Sequence, residues 1–144
     1  MSLKVGIYDP YLDTLGGGER YTLTVAEILS QHGYQVDIFW SGTPDILTKA
    51  STRFSLDLSQ VSLVPDVFHV SPEFVEFAND SENIKKISHT NWVKNSIDTK
   101  TNQFFTKIKA TRQYDLFFYL TDGSLPFIFS RKNILHFQVP FNHQ

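Results

Sequence analysis

Leu3 to Asp9 (LKVGIYD) is a short apolar, partly β-branched run that stops at Pro10, a pattern suited to a buried strand rather than a helix. After a loop, Tyr21, Val25, Ile28 and Leu29 recur at i, i+4, i+7 and i+8. That is the spacing of one helix face, and Gly33 stands where a helix C-terminal glycine belongs. Gln35 to Trp40 (QVDIFW) predicts a second strand, which Ser41, Gly42 and Pro44 break ahead of a short helix from about Asp45. Val61 to Val64, followed by Pro65, predicts a third strand, whereas Val67 to Phe77 fits neither template. Glu82 to Arg112 is polar with isolated apolar positions and predicts helical pieces, one of them over Thr101 to Thr111. Tyr114 to Leu120 (YDLFFYL) is a nearly unbroken aromatic and aliphatic run, the mark of a strand buried on both faces of a parallel sheet. Asn133 to Val139 (NILHFQV), closed by Pro140, reads the same way.

Strands alternating with helices predict an α/β fold with a doubly wound, mostly parallel Rossmann-like sheet, whose ligand crevice lies at the carboxyl ends of the strands. Functional residues are therefore expected in the loops after Tyr8, Leu120 and Val139. The length of 144 residues suits one domain. With 41% apolar residues and 13 Phe, the chain has the material for a packed core and falls outside the disordered class. Cys is absent, which excludes disulfides, thiolate catalysis and a Cys-based zinc site. No apolar run is long enough to cross a bilayer, and MSLKVGIYD lacks a signal-peptide core, so a cytoplasmic protein is expected.

The net charge of −2 is unevenly spread. Residues 1 to 84 carry four basic and twelve acidic side chains, while Lys85 to Arg112 carries seven basic ones against Asp98. That basic stretch has two readings: a solvated face of surface helices, or a platform for an anionic partner such as a phospholipid surface or a phosphate-bearing acceptor. The second would make the protein peripheral to a membrane. Nucleic acid is not an expected partner, because the overall balance is acidic and no reader motif accompanies the basic run.

The loop from Asp9 to Gly18 ends in Gly16-Gly17-Gly18, with Glu19 and Arg20 opening the first helix. Glycines at a helix N-terminus leave backbone N–H groups unshielded where the helix dipole favours a phosphate or diphosphate. An isolated glycine run is also an ordinary flexible turn, and its place after the first strand of an α/β sheet favours the ligand reading. The dinucleotide fingerprint is not met: its third glycine falls on Tyr21, and strand two ends in Phe39-Trp40 without an acidic ribose anchor. No Gly-Lys-Ser/Thr follows, so a P-loop is excluded as well.

The stretch KVGIYDPYLDTLGGGERYTLTVAEILSQHGYQVDIF, Lys4 to Phe39, resembles the opening of the family-4 group of GT-B glycosyltransferases, in particular the mannosyltransferases that elongate lipid-linked oligosaccharide. YDLFFYLTDGS and HFQVPF, between Tyr114 and Phe141, are similar to later strands of the same domain. The resemblance implies that residues 1 to 144 are the acceptor-side N-terminal half of a GT-B fold, without its C-terminal donor domain. The parent would be a retaining transferase moving a hexose from a nucleotide-diphosphate sugar to a saccharide or lipid-linked acceptor, with no cofactor. The 144-residue piece alone is then expected to show negligible transfer. From a different class, the alternative is a stand-alone carbohydrate- or phosphate-binding module, or one subunit of a split transferase.

Carried over residue by residue, the resemblance makes Gly16, Gly17 and Gly18 the loop that approaches the donor diphosphate and shapes the acceptor entrance. Glu19 and Arg20 match the motif, with capping and loop anchoring as their simpler role. Family members often hold a histidine before a proline at the end of a later strand. Alignment on Pro140 puts Gln138 at that place, and His136, two residues earlier, shares its face by strand alternation. Both are candidate catalytic residues, although a lone histidine in an apolar strand is also an ordinary core residue. Asp13, Asp122, Gly123 and Ser124 are candidate acceptor contacts, the last three equally readable as a turn. Glu19 and Glu27 share the spacing of the family's glutamate pair, but that pair belongs to the second domain and the surrounding motif is missing. Glu73 and Glu76 form no acid/base couple. His69, His89 and His143 show no metal-ligand spacing, and no metal site is predicted.

Overall fold

A computed structural model describes residues 2–68, 104–121 and 128–137. Five strands, β1 (Lys4–Tyr8), β2 (Gln35–Phe39), β3 (Val61–Val64), β4 (Leu116–Thr121) and β5 (Lys132–Phe137), form one all-parallel sheet in the order β3-β2-β1-β4-β5. Helix α1 (Gly17–Gln31) joins β1 to β2, and α2 (Ile46–Phe54) joins β2 to β3. Residues 104–112 form a helix, α3, just ahead of β4. The chain therefore builds outward from β1 on one side and then returns to add β4 and β5 on the other. This doubly wound, Rossmann-like order has its switch point between β1 and β4, and sheets of this kind bind ligands at the carboxyl ends of the strands there.

Parallel strands need apolar cover on both faces, and alternation along each strand supplies it. Val5, Ile7, Val36, Ile38 and Phe118 face Leu23 and Ala26 of α1 and Ile46 and Ala50 of α2. The opposite face is aromatic: Tyr8, Phe39, Phe117 and Tyr119 pack with Tyr114, Phe68 and Ala110 of α3. α1 ends as its glycine predicts. Gly33 takes φ +82°, its N–H donates to the Ser30 carbonyl at 3.1 Å, and the Tyr34 N–H donates to the Leu29 carbonyl at 3.1 Å. This Schellman closure satisfies carbonyls the helix leaves open, and Tyr34 and Leu29 both pack on the core.

On the aromatic face, Asp37, Gly6 and Phe117 lie in register across β2, β1 and β4. Tyr114 passes over Gly6, and its hydroxyl donates to the buried Asp37 Oδ2 at 2.8 Å. A Cβ on Gly6 would stand 2.5 Å from the Phe117 ring and 3.2 Å from Tyr114 Cγ. Glycine is thus required here by the close approach of two rings, and burial together with Asp37 pushes the Tyr114 phenol well above its ordinary range.

Three expectations need correction. α1 begins at Gly17, ahead of the first apolar helical position at Tyr21, so Gly17 and Gly18 are helical residues and Gly16 is the N-cap. β4 starts at Leu116, because the Tyr114 N–H closes the end of α3 on the Thr111 carbonyl and its ring turns under the sheet. β5 is not buried on both faces: it is the edge strand, with Ile134 47% and Phe137 52% exposed. The predicted helix at Thr101 to Thr111 appears over residues 104–112. Val67 and Phe68 run as loop onto the aromatic face, and the remainder of the ambiguous stretch lies outside the described residues.

Gly6→Ala is expected to force the Phe117 and Tyr114 rings apart and to destabilise the fold by about 1–3 kcal/mol, the usual scale of core overpacking. Urea unfolding would register a lower midpoint at unchanged slope. A midpoint equal to wild type would show that the two rings do not fill the space above Gly6.

Candidate functional site

The loop between β1 and α1 is held by contacts along its whole length. Asp9 Oδ1 accepts the Tyr11 N–H at 2.9 Å, Leu12 in a short 3-10 turn (Leu12–Thr14) is fully buried, and Arg53 Nε donates to the Leu15 carbonyl at 3.0 Å. At its end, Glu19 Oε2 accepts the Gly16 N–H at 2.7 Å and the Thr14 hydroxyl at 2.9 Å. Glu19 is itself buried. Its carboxylate therefore caps and anchors the loop, the simpler of the two roles its sequence position allows.

None of the three glycines serves a left-handed backbone. That conformation falls instead on Leu15, at φ 47° and ψ 43°, while Gly16 is extended and Gly17 and Gly18 are helical. A Cβ on Gly16 would approach Glu19 Oε2 to 3.0 Å, which accounts for a glycine there. A Cβ on Gly17 would meet nothing within 4 Å, and the residue is exposed. Neither the backbone nor the packing asks for glycine at 17. Because the N-cap is a glycine it offers no side-chain acceptor. Among the described residues the N–H groups of Gly17, Gly18 and Glu19 have no hydrogen-bond partner. This is the bare positive end of a 15-residue helix at the switch point of the sheet.

His136 stands on the α1 side of β5, opposite Leu120 of β4. It stacks on Tyr21 at 4.8 Å between ring centroids and 29° between planes, and lies 6.2 Å from the buried Phe118. Tyr21 is three residues past Gly18 and four past Gly17, so all three share a face of α1. The fold therefore brings His136 and the glycines to one side of the first helical turns, and Tyr21 is the link. The imidazole is half-buried and makes no hydrogen bond among the described residues.

Arg20 and Asp13 are exposed beside the loop. Gln138, Asp122, Gly123 and Ser124 lie outside the described residues, as do His69, His89, His143, Glu73 and Glu76. Glu27 is occupied elsewhere: its Oε1 accepts the Asp57 N–H at 2.7 Å. Among the described residues no three His, Cys, Asp or Glu side chains come together in a metal-binding group.

Two residues at this site were not foreseen from sequence pattern. Arg53, at the end of α2, places a cation on the glycine loop through its bond to Leu15, a contact spanning 38 residues. Asp9 closes β1 and is fully buried beneath α1, with Oδ2 unpartnered and the unbonded Thr22 hydroxyl beside it. Burial, assisted by Glu19 and Asp13, raises its carboxyl from 3.8 to about 6, against the opposing pull of the Tyr11 N–H and Thr22. The available sequence cue was an acidic residue ending an otherwise apolar strand.

A raised folded-state value means that folding takes up a proton between pH 3.8 and about 6. The stability this group contributes is fullest at the acidic end and is lost as pH rises through the folded value. Asp9→Asn keeps an acceptor for the Tyr11 N–H and removes the buried charge. It is expected to exceed wild type by at most about 3 kcal/mol at neutral pH, the gap narrowing toward pH 4, in urea unfolding across that range. A gap that does not change with pH would contradict the assignment. No protein-family model, curated protein or solved structure matches the chain, so the geometry above and the resemblance of Lys4 to Phe39 stand without a matched relative.

Proposed function

We propose that the first turn of α1 binds the diphosphate of a nucleotide-diphosphate sugar, and that the chain is the acceptor-side domain of a retaining GT-B glycosyltransferase. The observation that carries this reading is the helix terminus at Gly17, exposed at the switch point behind an N-cap that has no side chain, where glycine has no structural cause. A diphosphate there would accept the unpartnered amides and complement the helix dipole.

The surrounding charges are consistent with an anion. Glu19, the nearest carboxylate, is already engaged with the Gly16 N–H and the Thr14 hydroxyl. Arg53 is fixed to the loop through Nε, which leaves its terminal guanidinium nitrogens as a fork for phosphate oxygens. In transfer, charge builds on the departing diphosphate as the glycosidic bond to it breaks. Fixed amides and a cation favour that state without having to reorganise. His136, held in orientation by Tyr21, would lie beside the hexose. The resemblance to family-4 enzymes supplies the reaction class, the retention of configuration and the saccharide or lipid-linked acceptor.

Titration of UDP, GDP and ADP into the ¹⁵N-labelled protein is expected to shift the amide signals of Gly17 and Gly18 with at least one of the three. Gly17→Leu should weaken that binding about tenfold, equivalent to about 1.4 kcal/mol, while leaving thermal stability near wild type, since the site has room. Unchanged affinity in the variant would remove the diphosphate from the helix terminus. Release of nucleotide diphosphate from a sugar-nucleotide panel by the protein joined to a donor domain separates the transferase from the binding-module reading. Binding without release favours the module.

A further inference from the structure

The two halves of the sheet differ in charge. Among the described residues, the half built on β1 to β3 carries eight acidic and four basic side chains, and the half built on α3, β4 and β5 carries five basic ones and Asp115. Asp115 is engaged: its Oδ2 accepts the Lys4 N–H at 2.9 Å. Phe105, Lys109 and Arg112 fall at i, i+4 and i+7 on α3 and are all exposed, while Ala110 and Thr111 turn inward. α3 thus carries an outward stripe with an aromatic side chain at one end and two cations beyond it.

A second segment extends this surface. Phe129 meets Phe104 edge-on at 5.6 Å and 88°, and its N–H is tied to the Thr111 hydroxyl at 3.0 Å. Phe105 is 61% exposed and Phe129 39%. Arg131 and Lys132 follow directly and are exposed. Phe104, 41% exposed, touches both rings, so the three form one connected aromatic patch, the kind of surface that marks an interaction site.

From these positions we propose that the surface formed by α3 and the amino end of β5 docks onto an anionic phospholipid bilayer. Phe105 and Phe129 enter the headgroup boundary, and Lys109, Arg112, Arg131 and Lys132 face lipid phosphates. The combination of exposed aromatic side chains and cations with no carboxylate partner among the described residues fits an interface that is apolar a few ångströms deep and negative at its surface. Single-stranded nucleic acid shares the charge but needs open, flat stacking platforms, and Phe104 and Phe129 are packed edge to face against each other. The acidic half of the molecule would be repelled by the same surface, which fixes the orientation of docking. The surface adjoins the amino ends of β4 and β5, whereas Gly17 follows the carboxyl end of β1, so the proposal stands independently of the diphosphate reading.

Co-sedimentation of the 144-residue chain with vesicles tests it. Phosphatidylcholine vesicles containing phosphatidylglycerol are expected to bind the protein about tenfold or more above phosphatidylcholine alone, with the binding falling as salt is raised. Lys109→Glu with Arg112→Glu should abolish that preference. Phe105→Ser should weaken binding several-fold at every salt concentration while far-UV circular dichroism stays unchanged. Three outcomes would overturn the proposal: equal binding to both vesicle types, unaltered binding by the Lys109/Arg112 variant, or tighter binding to a single-stranded oligonucleotide that competes the protein off vesicles. A concentration-dependent dimer that Phe105→Ser dissociates would also overturn it, by assigning the surface to a second copy of this chain.

Discussion

The sheet is organised around a missing side chain. β1 is its central strand, and at Gly6 it carries nothing on the aromatic face, so Tyr114 can cross the strand and reach Asp37 on β2. A carboxylate in the middle of a buried parallel strand is an expensive element, and it is tolerated when a donor meets it. Tyr114 is that donor, and its ring also packs edge-on against Phe39 and Phe117. One hydrogen bond thus clasps β2 to the segment that introduces β4, over the strand that separates them. Because β4 arrives only after the long return from β3, this clasp fixes which side of β1 it joins. With that choice made, the switch point falls between β1 and β4.

The position of the glycine helix follows from this arrangement. β1 delivers the chain at the carboxyl end of the sheet, and the loop folds back through Leu12 before α1 descends over Val5 and Ile7. Strain in the loop is concentrated at Leu15, whose left-handed backbone costs on the order of 1–2 kcal/mol, and the Arg53 bond to its carbonyl helps to hold it. The glycines are thereby relieved of the conformational duty their sequence suggests, and the first helical residue, Gly17, stays exposed while Gly18 and Glu19 are buried. Asp9 adds an opposing element beneath the same turn. Burial, the largest cause, raises its carboxyl to about 6, and the Tyr11 N–H only partly offsets that.

Sequence patterns carried the local elements well and the long-range contacts poorly. Strand three matches its predicted limits, Val61–Val64, because alternation and a following proline act within a few residues. The end of α1 was legible for the same reason: Gly33 meets a local backbone requirement. Its beginning was obscured because Gly17 and Gly18 are weak helix formers, and only tertiary packing of Leu23 and Ala26 extends the helix over them. β5 misled because an apolar run predicts burial without saying whether a covering element exists, and an edge strand can carry the same residues. The Asp37–Tyr114 pair spans 77 residues and has no local signature. Of the candidate site, the glycines and His136 were visible as types, but the aromatic that joins them, Tyr21, read only as a helix-face position.

Tyr21 shows why a residue can satisfy a pattern and still be misassigned. It opens the apolar periodicity of α1, yet it is 49% exposed, and its ring meets both Phe118 at the margin of the core and His136 on the edge strand β5. A helix-face argument assumes one neighbour below; α1 has two, the sheet under Leu23 and Ala26 and the edge strand β5 beside Tyr21. Serving the second neighbour leaves part of the ring in solvent, and an exposed ring beside open amides and an imidazole gives the site an apolar wall. In the proposed transferase, the part of the ring that His136 leaves open would face the C–H groups of a sugar. The exposure of Tyr21 is a packing defect for a core residue. For the proposed sugar site it would be a requirement.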